Sequence, residues 1–230
     1  MDCRNCENKR CFINQYCVDN WLDFTQVVKK VSNYTKGNTI FSEGDSVEGI
    51  HIICSGKVKL NMELENNSKE IVRLAGSGQL LGHRGFSYQM RYPVSAKTLE
   101  NSEIAHISNE DFMKLLRKNP DLALALILFY SSELMKDDQK LKISNLGSDR
   151  QKVKFALQNA YDAFKKDEGE NQSFELGTDI EEFASFAGVL PEDLIEILDD
   201  LKKESILKLD GERVLIKEEQ YFVNEIVADK

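Results

Sequence analysis

At 230 residues, with 41% hydrophobic and 30% charged side chains, the chain has the composition of a globular protein built as one large domain or two small ones. Its longest apolar run, Leu122 to Tyr130, has nine residues, far short of the roughly 20 that cross a bilayer; no apolar stretch follows the first basic residues, so no signal peptide is expected. A membrane or secreted protein is thereby excluded, and a cytoplasmic one is expected.

Residues 1–20 form a cysteine-rich segment. Cys3, Cys6, Cys11 and Cys17 follow a C-x2-C-x4-C-x5-C spacing, and a fifth cysteine, Cys54, lies in an apolar run. Disulfides are disfavoured in the cytosol, so clustered thiols there point to zinc, an iron–sulfur cluster or redox sensing. Thiolates a few residues apart converge on a soft cation without needing a prior fold. The alternative is packing, with Cys11 and Cys17 beside Phe12, Tyr16 and Trp21 and Cys54 in the core.

Residues 21–120 read as a β-barrel domain. A helix is expected over Trp21 to Tyr34, from the apolar positions Leu22, Phe24, Val27, Val28 and Val31. From Lys36 the pattern changes to short β-branched runs: Ile50 to Cys54, Lys57 to Leu64, Glu70 to Leu74 and Glu103 to Ile107. Glycine-containing turns, including Ser55-Gly56 and Gly76-Ser77-Gly78, separate them. Several short strands at this spacing predict a barrel or sandwich. Ser108 then caps a short helix that carries early acids and stops at Asn119-Pro120.

Residues 121–146 predict one long helix. Its first half is apolar nearly all round (Leu122, Leu124, Leu126, Ile127, Leu128, Phe129), so both sides must be buried, which suits pairing with a second copy in a homodimer. The other way to bury it is between two domains of one chain. Residues 147–230 form the last domain: a helix over Gln151 to Lys166, a polar loop over Asp167 to Ser173, and a helix over Ile180 to Ala187 capped by Thr178-Asp179. A Gly188 turn follows, then a helix from Pro191 to about Glu204, and a hairpin around Asp210-Gly211. Two helices on a short glycine turn followed by a hairpin predict a winged helix-turn-helix. The fold class is therefore α+β.

Taken together, Lys36-Gly37-Asn38-Thr39-Ile40-Phe41-Ser42-Glu43-Gly44-Asp45, Ile53-Cys54-Ser55-Gly56-Lys57-Val58-Lys59-Leu60, Gly78-Gln79-Leu80-Leu81-Gly82, the Ala96 to Ile107 region and Asn119-Pro120 resemble the cyclic-AMP receptor protein and fumarate–nitrate regulator (Crp/Fnr) family of bacterial transcription regulators. The resemblance covers about residues 20–220. It implies a cyclic-nucleotide-binding-like jelly roll that senses an effector, a dimerisation helix, and a winged helix-turn-helix that binds promoter DNA.

Within that frame, a loop of glycines, amides and cations at Gly82, His83, Arg84 and Gly85, with Arg91 and Ser95, suits a small anionic effector. Cyclic-AMP binders of the family follow the equivalent of Gly82 with a glutamate. Here that position is His83, which argues against cyclic AMP. The family's oxygen sensors hold an iron–sulfur cluster on N-terminal cysteines plus a distal one, a role the resemblance offers to Cys3, Cys6, Cys11 and Cys17, although the spacing differs.

The recognition helix departs most from the family. Leu190 to Leu201 holds five acids and no base, with Ile195 and Glu196 at the reading positions. Residues 171–230 carry 16 acidic and six basic side chains, a net −10 in a chain of −9, and such a segment repels a phosphate backbone. Lys202, Lys203, Lys208 and Arg213 are left to contact DNA. The leading expectation is a dimeric, effector-responsive regulator. The alternative is a sensor or adaptor that uses its acidic C-terminal domain to bind a protein. No nucleophile–His–acid, phosphate-loop or metal-hydrolase pattern points to an enzyme.

Overall fold

A computed structural model describes residues 3–65, 69–165, 173–210 and 213–216. The chain divides into two compact units, one ending at Met135 and one beginning at Lys136. The architecture is α+β, as the alternation and caps of the sequence predict.

The first unit opens with helices α1 (Phe12–Tyr16) and α2 (Asp19–Val28). Eight strands follow: β1 (Lys30–Tyr34), β2 (Thr39–Phe41), β3 (Gly49–Ser55), β4 (Lys57–Glu63), β5 (Lys69–Gly76), β6 (Leu80–Leu81), β7 (Ser95–Thr98) and β8 (Ser102–Ser108). They form two four-stranded antiparallel sheets, in the orders β1-β8-β3-β6 and β2-β7-β4-β5. The inner faces of the sheets meet in a core of Phe41, Ile53, Val58, Leu60, Ala75, Leu81, Ala96 and Ile104, the interior of a jelly-roll barrel. A second core covers the outside of the first sheet. There Ile50, Ile52, Ala105 and Ile107 pack against Phe12 and Ile13 of α1, Leu22 of α2, and residues of the two helices that follow.

Those helices are α3 (Asn109–Lys118) and α4 (Pro120–Leu146). The Ser108 hydroxyl accepts from the Asp111 amide at 3.2 Å, the cap expected from the sequence. Phe112 and Leu115 of α3 and Leu122 and Ala125 of α4 are buried in the outer core. The turn between β3 and β4 needs a glycine: Gly56 sits at φ +104°, and a Cβ there would lie 2.1 Å from Ser102 Oγ.

The second unit contains the C-terminal part of α4, then α5 (Asp149–Phe164), β9 (Ser173–Glu175), α6 (Ile180–Ala187), α7 (Pro191–Lys203), β10 (Leu207–Asp210) and β11 (Arg213–Ile216). A capping box of Ser148 and Gln151 starts α5. The Asp179 side chain caps α6, and Gly188 in the left-handed region ends it. Val153, Leu157, Phe183, Leu194, Leu198 and Leu201 are buried, and the strands pair in the order β10-β11-β9. This is a winged helix-turn-helix.

Two expectations are corrected. The helix predicted over Trp21 to Tyr34 ends at Val28: Lys29 turns extended, and Lys30–Tyr34 pair with β8 in register from Lys30↔His106 to Tyr34↔Ser102. Ser173, assigned to a loop, opens β9 against β11; the rest of that loop, residues 167–172, lies outside the described residues. In the single chain the first half of α4 leaves Leu124, Ile127 and Leu128 55%, 64% and 58% exposed.

Candidate functional site

The N-terminal segment is tied to the barrel beside Cys54. The Phe12 amide donates to the Gly78 carbonyl at 3.0 Å. Gly78, at φ +91°, lets the chain pass so closely that a Cβ would lie 2.6 Å from the Arg10 carbonyl. Asn8 Nδ2 donates to Ser77 Oγ, and Ser77 Oγ donates to the Cys54 carbonyl, both at 2.8 Å. Nearer the start, the Cys3 amide donates to Gln26 Oε1 at 3.0 Å.

The result is a cavity of about 30 Å³ lined by Cys3, Cys6 and Cys11 of the N-terminal segment and by Cys54 of β3. Lys29, at the end of α2, brings its ammonium 3.1 Å from Cys3 Sγ. Apolar side chains including Ile13 and Ile52 complete the wall. Burial raises the Cys11 thiol, and burial pushes Cys54 up to about 11 against the opposing charge of Lys29. Filling the cavity with a thiophilic group would therefore release protons.

Of the four cysteines singled out in the N-terminal segment, three line this cavity and Cys17 does not. It belongs to the outer core, 7% exposed, with Sγ 3.7 Å from both the Val18 carbonyl and Asn119 Oδ1; burial pushes its thiol up to about 11. Cys54 takes the fourth place. Among the described residues, no three His, Cys, Asp or Glu side chains form a group that could hold a metal ion. Cys3, Cys6, Cys11 and Cys54 supply the soft donor type that zinc and iron–sulfur clusters take, around a space of about 30 Å³.

The residues proposed for an anionic effector are dispersed among several roles. Gly82, at φ +81°, introduces the turn His83–Gly85. His83 is 1% exposed, and its ring packs edge-on against Phe129 and Tyr130 of α4 at 4.9 and 5.5 Å. Arg84 reaches Glu133 of α4 at 3.4 Å. A Cβ at Gly85 would meet Val47 Cγ2 at 2.5 Å, so close packing holds it. Arg91 is exposed and donates to the Gly44 carbonyl at 2.6 Å. Ser95 Oγ accepts from the Glu43 amide at 2.9 Å. Tyr92 stacks on Phe41 at 4.0 Å inside the barrel.

On the winged helix-turn-helix, Leu190 just before α7 and Glu192, Ile195, Glu196 and Asp199 within it are exposed. Lys202 and Lys203 are exposed at its end, where Lys203 Nζ bonds Asp200 at 2.9 Å. Lys208 is exposed on β10. Arg213 opens β11 opposite Asp210, and its side chain lies outside the described residues.

Helix α4 carries an apolar stripe: Ile127, Leu134 and Leu141 recur every seven residues, flanked by Leu124, Leu128 and Met135. All six are more than half exposed in the single chain. A seven-residue repeat is the period at which two helices stay in contact.

Residues 31–119 match the family model of the cyclic nucleotide-binding domain. The cyclic AMP receptor protein of Thermus thermophilus is 25% identical over 185 residues, covering 80% of this chain and 82% of that one. The fumarate and nitrate reduction regulatory protein of Vibrio cholerae is 23% identical, over 90% of this chain and 84% of its own. The fold is shared with FixK2 of Bradyrhizobium japonicum, at a TM-score of 0.73 and 15% identity over 86% of this chain and 96% of that one. Residues 31–119 thus match a cyclic nucleotide-binding domain, and over most of its length the chain is similar to transcription regulators of the Crp/Fnr type.

Proposed function

We propose that this protein is a homodimeric, cytoplasmic transcription regulator that binds promoter DNA and whose input is the thiol cavity rather than a cyclic nucleotide. The observation that carries the reading is the convergence of Cys3, Cys6 and Cys11 with Cys54, from a stretch more than 40 residues later in the sequence, on one cavity beside Lys29. An iron–sulfur cluster, held by these four thiolates, would supply redox and oxygen sensitivity. The chain's own part is to hold the N-terminal segment against the β5–β6 turn through Asn8, Ser77 and the Phe12 amide, and to shield the thiols with apolar walls. A change in the cavity then acts on the same outer core that seats the start of α4. Pairing along the apolar stripe of α4 would carry that change between two copies.

A second reading rests on α7. Its exposed acids oppose docking in a phosphate-lined groove, and they suit a basic protein partner. Mapping of DNA crosslinked to the protein in its native cells separates the two, with Cys54→Ser and Glu196→Lys in parallel. Discrete sites sharing a two-fold motif, altered by Cys54→Ser, are expected. No enrichment over untagged cells overturns the DNA-binding reading and leaves the acidic face as a partner surface.

A further inference from the structure

The first thiol of the cavity is held against a lysine side chain. Lys29 Nζ lies 3.1 Å from Cys3 Sγ, and the contact is part-buried in the cavity lining. Attachments to α2 bring the two together. The Cys3 amide donates to Gln26 Oε1 at 3.0 Å, and the next residue, Arg4, pairs with Asp23 at 2.5 Å. On the other side the Lys29 amide donates to the Thr25 carbonyl at 3.0 Å, at the end of α2. The buried Thr25 hydroxyl donates to the Trp21 carbonyl one turn earlier, also at 3.0 Å. Sulfur and nitrogen, 26 residues apart in the sequence, are thus held near the separation of about 3–3.5 Å from which bonds form.

A thiol oxidised by peroxide becomes a sulfenic acid, whose sulfur is then open to a neighbouring nucleophile. A second thiol gives a disulfide and a nitrogen gives a sulfenamide. At Cys3 a nitrogen is already in place, and the protons balance within the pair. The Cys3 sulfur, with the Lys29 ammonium against it, reacts as the anion and takes one oxygen from hydrogen peroxide. The O–O bond breaks, and the ammonium gives its proton to the departing hydroxide. Water, a sulfenic acid and a neutral amine result. The amine lone pair then forms the S–N bond while the S–O bond breaks, and hydroxide leaves with an amine proton as a second water. Sulfur has lost two electrons and the peroxide has gained two. Two equivalents of a thiol reductant reverse the change, restoring thiol and amine and leaving as a disulfide.

We infer that Cys3 and Lys29 form a reversible, peroxide-driven sulfenamide that ties the N-terminal segment to the end of α2. The bridge closes a loop containing α1 and most of α2, and a sulfur bonded to nitrogen is spared the irreversible sulfinic step. With Cys3 bridged, only Cys6, Cys11 and Cys54 remain as thiols in the cavity lining. The cavity then lacks a four-thiolate set until a reductant reopens it. That last consequence rests on the cavity's proposed role as the input; the bridge itself requires no cluster.

The test treats the full metal-free chain with hydrogen peroxide, blocks remaining thiols with N-ethylmaleimide and maps tryptic peptides by mass. Wild type is expected to lose two hydrogens and one of its five thiols, to resist cleavage after Lys29, and to give a peptide joining Cys3 to Lys29 that dithiothreitol separates. Lys29→Arg keeps the positive charge without a nucleophilic amine. It should lose the joined peptide entirely and instead show Cys3 as a sulfenic acid trapped by dimedone. Wild-type Cys3 that accumulates as sulfenic or sulfinic acid while trypsin still cuts after Lys29 overturns the inference. So does the paired loss of two thiols in a disulfide that includes Cys3. Should Lys29→Arg fail to fold, the wild-type peptide map decides alone, because thiol count and cleavage after Lys29 separate the sulfenamide from both rivals.

Discussion

Replacing Ile127 with glutamate should separate the dimer. Ile127 is 64% exposed in the single chain, and Leu124, Leu128, Leu134, Met135 and Leu141 are exposed by 55% to 70%. Burying a whole aliphatic side chain is worth roughly 1.5–3 kcal/mol, so covering the exposed three-fifths of Ile127 yields about 1–2 kcal/mol. In a two-fold dimer the residue counts twice, which gives about 2–4 kcal/mol. Glutamate forfeits that gain and places two carboxylates in the apolar seam, where their desolvation adds a further penalty. The total reaches at least about 4 kcal/mol, close to a 1000-fold rise in the dissociation constant. Sedimentation velocity over a concentration series measures it. Ser132→Glu, exposed on α4 but off the stripe, should move the constant by no more than about threefold, as surface substitutions do. An Ile127→Glu protein that dimerises as tightly as wild type would refute the assignment of this stripe to the interface.

Further outcomes follow from the same geometry. Cys54→Ser, purified without oxygen, should lose bound iron and acid-labile sulfide, whereas Cys17→Ser should retain both and be destabilised by about 1–3 kcal/mol because it buries a hydroxyl. Gly44 and Gly56 both occupy left-handed backbone, at φ +84° and +104°, but only Gly56 has a neighbour that a Cβ would strike. Gly44→Ala should cost about 1–2 kcal/mol in urea unfolding, and Gly56→Ala clearly more, since Ser102 and its backbone would have to move. Burial, then the charge of His106, lowers His51 to about 4. The unfolded chain takes up that proton near pH 6.5 and the folded one does not, so this stability is present at neutral pH. It drains away as pH falls from 6.5 to 4, by roughly 2 kcal/mol at pH 5. His51→Gln should flatten that part of the stability–pH curve, and an unchanged slope would reject the assignment.

The elements with a regular period or a local cap were legible in the sequence. Strands β3, β4, β5 and β8, the Ser108 and Asp179 caps, the Gly188 turn and Pro191 at the head of α7 all declare themselves through side chains acting on their own neighbourhood. Strand β1 did not. It lies at the end of its sheet with four of five residues exposed, so no alternation marks it, and Val27, Val28 and Val31 imitate a helical face. The site was legible in halves. Spacing revealed the N-terminal thiols, but Cys54 joins them only once β3 and the β5–β6 turn are folded against the segment. Cys17 has the right spacing and the wrong surroundings. Glu133 is one acid among the polar residues of a long helix, and nothing local ties it to Arg84, 49 residues earlier.

The exposed position of β1 has a consequence for how the protein behaves when concentrated. A terminal strand leaves a row of amide and carbonyl groups free to recruit the strand of another molecule, which is how sheets grow into aggregates. Here that row is five residues long and carries Lys30, Ser32 and Asn33, with Val31 as its one aliphatic side chain. A second chain docking there would have to strip water from an ammonium and an amide and would gain little apolar burial in return. Substitutions that make this strand more apolar, such as Lys30→Val with Asn33→Val, should leave the fold intact and turn a dispersed protein into one that precipitates.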